Sequence, residues 1–241
     1  DASSTGIGTI DSTGSFNNDS GFSIVSYTNT NQSANSGVAT IKHGLNTTPN
    51  VLILKDRDAT SDWQVFHSSL PTNKYLDLNT TDAAAVDTNV WNNTAPTSSV
   101  FTVGDNSYSN PANRAMIAYC FAEKKGYSKF GSYTGNGNAD GTFVYTGFLP
   151  SFVMVKDSSN AGYNWMMYDN KRLGYNGGSR YLIANQNYAE SGSSDNLMDF
   201  TSNGFKLRIA DQNINRTHTY IFMAFAENPF VTSTGVPATA R

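Results

Sequence analysis

The chain has 241 residues, of which 38% are hydrophobic and only 15% are charged, and its formal net charge is −3. Such a chain lacks the clustered Lys and Arg that nucleic-acid binding requires, and no apolar window reaches the roughly 18 residues of a membrane-spanning helix. We therefore expect no nucleic-acid partner and no membrane insertion. Asn, Ser, Thr and Gly take over the solubilising role, and these short polar residues favour turns and strands over helices.

Residues 1–20 are rich in Ser, Thr, Gly and Asn and show little periodicity. This composition is typical of a flexible linker. The sequence begins with Asp1 and carries no signal-peptide pattern, so we expect a processed piece or fragment of a longer protein, with residues 1–20 as the connection to its upstream region.

An internal similarity organises the rest of the chain. Residues 49–56 match residues 150–157, and residues 120–123 match residues 224–227. Further short blocks match in the same order, with an offset that drifts between about 101 and 106 residues. This order predicts two tandem homologous units at residues 21–125 and 126–230, followed by a C-terminal tail at 231–241. The joint between the units is short, so we expect them to lie close together.

Each unit is predicted to be an antiparallel β-sandwich of the jelly-roll or lectin-like type. The runs 51–54 and 152–155 are apolar at every position, which indicates strands buried on both faces. Residues 141–147 alternate instead, with Phe143 and Tyr145 on one face. Strands punctuated by Gly- and Asn-rich turns are typical of all-β sandwiches and barrels.

The three histidines, His43, His67 and His218, lack the spacing of zinc ligands. His67 is matched by Asp169 in the second unit, which argues against a catalytic base kept in both copies. A surface calcium site near Asp195 is an alternative that the sequence leaves open. We otherwise predict no metal, no cofactor and no catalytic residue.

The acidic residues favour structural roles. Glu123 and Glu227 occupy the same position at the end of each unit, which predicts a hydrogen bond or ion pair at a strand end rather than a pair of catalytic acids. Asp56 and Asp157 follow the matched apolar strands, where we expect each carboxylate to bond its own backbone in a turn. The sequence therefore predicts a protein that is not an enzyme.

Aromatic residues without a counterpart in the other unit are the candidates for ligand recognition. Trp63 and Trp165 match each other, which predicts core packing, whereas Trp91 has no counterpart and lies in a polar segment. The second unit adds a Tyr- and Gly-rich insertion, and rigid aromatic rings suit sugars and partner pockets. The predicted ligand-binding residues are Trp91, Tyr163, Tyr175, Asn176 and Arg180.

Several segments resemble a repeat of virion proteins from marine, cyanophage-like and other tailed bacteriophages: residues 21–28, 41–45, 49–51 and Lys55 in the first unit, and residues 129–137, 147–150, 202–207 and 224–230 in the second. The resemblance covers residues 21–230 and implies a surface protein of the phage tail or fibre, made in the bacterial host cytoplasm. It also implies a homo-oligomer, expected to be a trimer, that contacts other virion proteins.

Three functions follow from the resemblance and the residues together. The first is the receptor-binding, adhesive end of a tail fibre that contacts a host-surface glycan or protein. The second is a purely architectural virion protein, such as a head decoration or a fibre segment. The third is a polysaccharide depolymerase, which the scattered acidic residues favour least.

Overall fold

The computed structural model describes residues 2–30, 37–172, 179–193 and 197–228. Within these ranges the regular secondary structure is almost entirely β-strand, with one short helix, which confirms the predicted all-β fold class. The elements are α1 (Ala2–Thr5), β1 (Ser12–Asn17), β2 (Phe22–Thr28), β3 (Ala39–Lys42), β4 (Val51–Asp56), β5 (Gln64–His67), β6 (Lys74–Asp77), β7 (Ala85–Val86), β8 (Val100–Val103), β9 (Ala115–Phe121), β10 (Ser128–Thr134), β11 (Phe143–Tyr145), β12 (Pro150–Asp157), β13 (Met166–Asp169), β14 (Ser179–Ile183), β15 (Ser191–Ser193), β16 (Met198–Thr201), β17 (Gly204–Leu207) and β18 (Thr219–Ala226).

The chain divides into two compact units. Unit 1 comprises Asp1–Leu78 and Ala84–Glu123, and unit 2 comprises Asn79–Ala83 and Lys124–Arg241. The division after Glu123 falls next to the boundary that the sequence predicted at 125/126. The placement of residues 79–83 in unit 2 was not predicted.

Unit 1 contains a seven-stranded antiparallel sheet in the order β1-β2-β9-β4-β5-β6-β7 and a two-stranded sheet formed by β3 and β8. Apolar side chains from both sheets meet in one buried cluster, in which Tyr27 of β2 packs edge-on against Phe101 of β8. Burying one face of each sheet against the other is the arrangement of a β-sandwich.

Unit 2 contains a six-stranded antiparallel sheet in the order β10-β18-β12-β13-β14-β15 and a three-stranded sheet in the order β11-β17-β16. Its buried cluster again draws on both sheets, with Phe205 of β17 packed edge-on against Phe222 of β18 at 5.4 Å between ring centroids. The three-stranded sheet leaves its other face, and the edge strand β11, on the outside of unit 2.

Six strands of the two large sheets follow the same order, β2-β9-β4-β5-β6-β7 in unit 1 and β10-β18-β12-β13-β14-β15 in unit 2, whereas β1 has no counterpart in the large sheet of unit 2. A buried tyrosine also recurs, because the Tyr27 hydroxyl donates to the Ser109 carbonyl at 2.8 Å and the Tyr133 hydroxyl to the Ile214 carbonyl at 2.7 Å. The duplication itself stays a prediction, which this correspondence supports.

The linker prediction is wrong for residues 12–17, which form strand β1 and pair with β2 from Ser12↔Tyr27 to Asn17↔Phe22. The side chains of β1 are exposed after Ser12, so this edge strand needs backbone hydrogen bonds but no apolar pattern. The composition of this strand, rich in Ser, Thr and Gly, is therefore the same as that expected of a flexible linker.

The single described helix, α1, has four residues. Among the described residues, no helix combines the length and the hydropathy needed to span a bilayer.

Candidate recognition site

Trp91 is a core residue of unit 1, so its assignment to a ligand site is wrong. Its side chain is only 1% exposed and packs edge-on against Phe66, with ring centroids 5.7 Å apart. Asn92 and Asn93 have φ angles of 50° and 53°, the left-handed region that asparagine tolerates better than most residues. The polar neighbours thus belong to a turn that follows Trp91, whereas the indole itself points into the core.

Tyr163 and Arg180 lie in unit 2 and contact different partners. The half-buried ring of Tyr163 lies 5.5 Å from the ring of His218, centroid to centroid. The exposed Arg180 pairs with Glu190 at 3.2 Å. Tyr175 and Asn176 lie outside the described residues, so their predicted role stays a prediction.

The charge of Arg180 belongs to an ion-pair network within unit 2. Glu190 pairs with both Arg180 and Arg172, and Arg172 also bonds Asp169 at 2.5 Å. The hydrogen bond that Arg172 donates to Asp169 is the main reason that the pKa of Arg172 is raised. Arg180 therefore already has an anionic partner before any ligand arrives.

Tyr163 borders a buried ionic cluster. The carboxylate of Asp157 is fully buried, and its Oδ2 lies 2.6 Å from Nδ1 of His218. Its Oδ1 accepts the amides of Ser159 and Asn160, so the predicted Asp turn is confirmed here and in unit 1 at Asp56. In unit 1 Arg114 takes the place of the histidine, at 2.8 Å from Asp56.

Lys156, next to Asp157, is also fully buried. Its ammonium donates to the carbonyls of Tyr163, Asp157 and Thr81 at 2.9, 3.0 and 3.3 Å. Burial disfavours the ammonium and lowers the pKa of Lys156 to about 8. Three carbonyl acceptors and an adjacent carboxylate indicate that this cluster anchors loops of unit 2, as Lys55 does in unit 1 through the carbonyls of Ala59 and Ser61.

His43 is buried as a neutral imidazole in unit 1. Its Nδ1 accepts the Leu45 amide at 3.1 Å, and its Nε2 lies 3.2 Å from the Thr97 carbonyl, which places the proton on Nε2. Burial of the ring is the main cause that lowers the pKa of His43.

Acidification is therefore expected to destabilise the fold through His43. Because its pKa is lower in the folded chain than in the unfolded chain, the unfolded chain binds more protons below the ordinary value of 6.5, and stability is lost as the pH falls through that value. Urea unfolding between about pH 7.5 and about pH 5 measures this loss. His43→Gln should lose less stability over the same range, and an equal loss in both proteins would contradict the assignment.

The remaining sequence candidates have structural contacts or lie outside the described residues. Glu227 forms an ion pair with Lys171 at 2.9 Å, which confirms the strand-end role predicted for it. Within the ranges that the structure describes, no group of three His, Cys, Asp or Glu side chains could hold a metal ion. Asp195 falls outside those ranges.

The outer surface of the three-stranded sheet of unit 2 presents two exposed aromatic side chains, two residues apart on one strand. Phe143 and Tyr145 of β11 are 44% and 64% exposed, whereas Val144 between them is buried. The alternation predicted for this strand is thus confirmed. The cross-strand register places Lys206 of β17 opposite Phe143 and Asp199 of β16 opposite Lys206. Residues opposite one another in a ladder share a face, so all four lie on the outer face of this sheet, where the Asp199 side chain itself is buried.

Two ion pairs complete this surface. Lys206 contacts Asp140 at 2.7 Å, and the guanidinium of Arg208 contacts Asp199. The hydrogen bond from Lys206 is the main cause that lowers the pKa of Asp140. We name the surface formed by Phe143, Tyr145, Asp140, Lys206, Asp199 and Arg208 the aromatic face.

A glycine lets the Phe143 ring approach the sheet closely. A Cβ at Gly204, which pairs with Tyr145, would lie 3.1 Å from Cζ of Phe143 and 2.1 Å from the Val144 carbonyl oxygen. Any side chain at position 204 would therefore collide with the backbone of β11 and displace the ring. The observed position of the Phe143 ring therefore depends on glycine at position 204.

The aromatic face was not among the predicted site residues, although a signal for it exists in the sequence. When Gly44 is matched to Gly147, Phe143 and Tyr145 align with Thr40 and Lys42 of unit 1. Neither aromatic residue has a counterpart in the other unit, which is the criterion that selected Trp91. Burial separates the cases, because Trp91 points inward and the β11 aromatics point outward.

Comparison with known proteins gives a family but no function. No curated protein and no solved structure matches the chain. Residues 1–229 match the model of a family described as a domain of unknown function, DUF7483. Since this match covers nearly the whole chain, the protein belongs to the DUF7483 family.

Proposed function

We propose that the chain is a recognition module on a bacteriophage virion surface, the receptor-binding part of a tail fibre that contacts a glycan or protein of the host cell. The observation that carries the proposal is the aromatic face, where two neighbouring rings are exposed on a well-packed sheet. Exposed aromatic groups of this kind mark interaction surfaces, because covering them releases water and gains contact area at little conformational cost.

The rest of the molecule supports this role. The buried ionic cluster of Lys156, Asp157 and His218 is bonded to the surrounding loops, which suits a rigid scaffold. The resemblance to tailed-phage virion proteins supports the location. We further propose a homotrimer, since several weak sites in one assembly bind a repetitive cell surface far more strongly than one site does.

An architectural role is the second candidate. Phe16, Tyr108 and Tyr188 are also exposed, and exposed rings spread over a surface suit contacts with other virion proteins. Antibody labelling of the intact virion separates the two roles: label at the fibre tip favours recognition, and label along a shaft or on the head favours architecture.

Binding to host cells tests the proposed function directly. The full chain carrying a fluorescent label is expected to bind bacteria that the virion infects, and excess unlabelled chain should block adsorption of the virion. A chain unfolded by heat serves as the control for non-specific adhesion. No binding to susceptible cells, together with unchanged virion adsorption, would overturn the proposal.

A further inference from the structure

We infer that the aromatic face is a binding site for a neutral pyranose sugar, which stacks on Phe143 and Tyr145 and whose hydroxyl groups contact the exposed side chains of the two ion pairs. The inference rests on the proposed recognition function and names the ligand class and the residues of the site. It concerns unit 2 alone.

The rings supply the apolar part of the site. A pyranose has an apolar side lined with C–H groups, and these carry the partial positive charge that the electron-rich face of an aromatic ring attracts. Phe143 and Tyr145 are two residues apart on one strand, so their Cα atoms lie roughly 7 Å apart and their side chains leave the same face of the sheet. The Tyr145 hydroxyl adds a polar group at the edge of this platform.

The ion pairs supply the polar part. Lys206 lies opposite Phe143 in the ladder, and its ion pair with Asp140 uses only part of the hydrogen-bonding capacity of the two side chains. An ammonium has three donors, a guanidinium has five, and a carboxylate accepts at about four positions. Lys206, Asp140 and Arg208 are accessible enough to bond neighbouring hydroxyl groups, which act as both donors and acceptors. Asp199 is buried and serves only to hold Arg208.

The balance of charge selects a neutral ligand. The aromatic face has two cations, Lys206 and Arg208, and each already contacts a carboxylate. An anionic sugar would have to displace Asp140 or Asp199, or bind beside them against their repulsion. A neutral sugar meets neither cost.

Because the two rings lie on an exposed sheet surface, a single sugar unit is expected to bind weakly, with a dissociation constant on the order of 1 mM. Saturation-transfer nuclear magnetic resonance detects binding in this range. The probes are the methyl glycosides of glucose, galactose, mannose and N-acetylglucosamine, with methyl glucuronide as the anionic comparison. The protein is the full chain.

The double variant Phe143→Ser with Tyr145→Ser removes both rings from exposed positions and is expected to weaken neutral-glycoside binding at least tenfold. The matched control is Tyr188→Ser, because Tyr188, at 66%, is about as exposed as Tyr145, at 64%, but lies outside the aromatic face. The control should bind like the unmodified chain. Circular dichroism of all three proteins confirms that each is folded.

The outcomes separate the inference from the function on which it rests. The inference is supported if saturation transfer to a neutral glycoside is seen with the unmodified chain and with the control but is lost with the double variant. Binding that survives in the double variant, or a preference for the glucuronide, overturns the inference. If no glycoside binds while the chain still adheres to host cells, the ligand class is wrong but recognition stands. If adhesion also fails, both proposals fall.

Discussion

Replacing Trp91 by alanine is expected to lower the free energy of unfolding by about 3–5 kcal/mol, the usual cost of removing a large aromatic side chain from a packed core. Trp91 is 1% exposed and contacts Phe66, so its removal leaves a cavity that the two sheets of unit 1 cannot fill. Urea unfolding followed by circular dichroism measures the change. Tyr188→Ala, at an exposed position, is the control and should shift the free energy by no more than about 0.5 kcal/mol.

Trp91→Phe separates packing from hydrogen bonding. Among the described residues, the buried Nε1 of Trp91 has no hydrogen-bond partner, so phenylalanine removes an unsatisfied N–H together with part of the ring. We expect a smaller loss for Trp91→Phe than for Trp91→Ala. A wild-type unfolding midpoint in Trp91→Ala would instead mean that the indole faces solvent.

Removing the buried carboxylate of Asp157 is expected to have a similarly large effect. Asp157→Ala leaves His218 and the amides of Ser159 and Asn160 without their acceptor, and breaking a buried pair in this way costs about 3–5 kcal/mol. The control is Asp140→Ala, whose carboxylate also pairs with a cation but is 84% exposed. An exposed pair contributes about 0–1 kcal/mol, so the control should remain close to the unmodified chain.

Asp157→Asn separates the two contributions of the carboxylate, its hydrogen bonds to the turn amides and its negative charge beside His218. The amide oxygen can still accept the turn amides, whereas the charge that faces His218 is lost, so we expect an intermediate loss of stability. Equal unfolding midpoints for Asp157→Ala and Asp140→Ala would show that the buried cluster does not anchor unit 2.

Strands could be predicted where buried positions are occupied by apolar residues in a regular pattern. Residues 51–54 are apolar at every position and form the first four residues of β4, where all four side chains are buried as predicted. The alternation at Phe143 and Tyr145 likewise predicted a strand with two different faces. In both segments, the pattern along the strand, continuous or alternating, follows directly from which side chains are buried.

The rest depended on contacts that a local pattern does not contain. Trp91 was misassigned because of its polar neighbours Asn92 and Asn93. These residues are required by the backbone conformation of a turn, so they give no information on whether the indole is exposed. Strand β1 was missed because an edge strand with exposed side chains needs only backbone pairing. The aromatic face combines β11, β16 and β17, whose residues become neighbours only through the sheet register.

The single thiol of the chain has a practical consequence. Cys120 lies fully buried in β9, and burial raises its pKa to about 12, so it stays protonated and shielded from reagents in the folded protein. A cysteine introduced at an exposed position would therefore be the one site that a maleimide dye or cross-linker modifies. The protein can be tagged at a chosen surface position without first removing its native cysteine, and reaction at Cys120 would report unfolding.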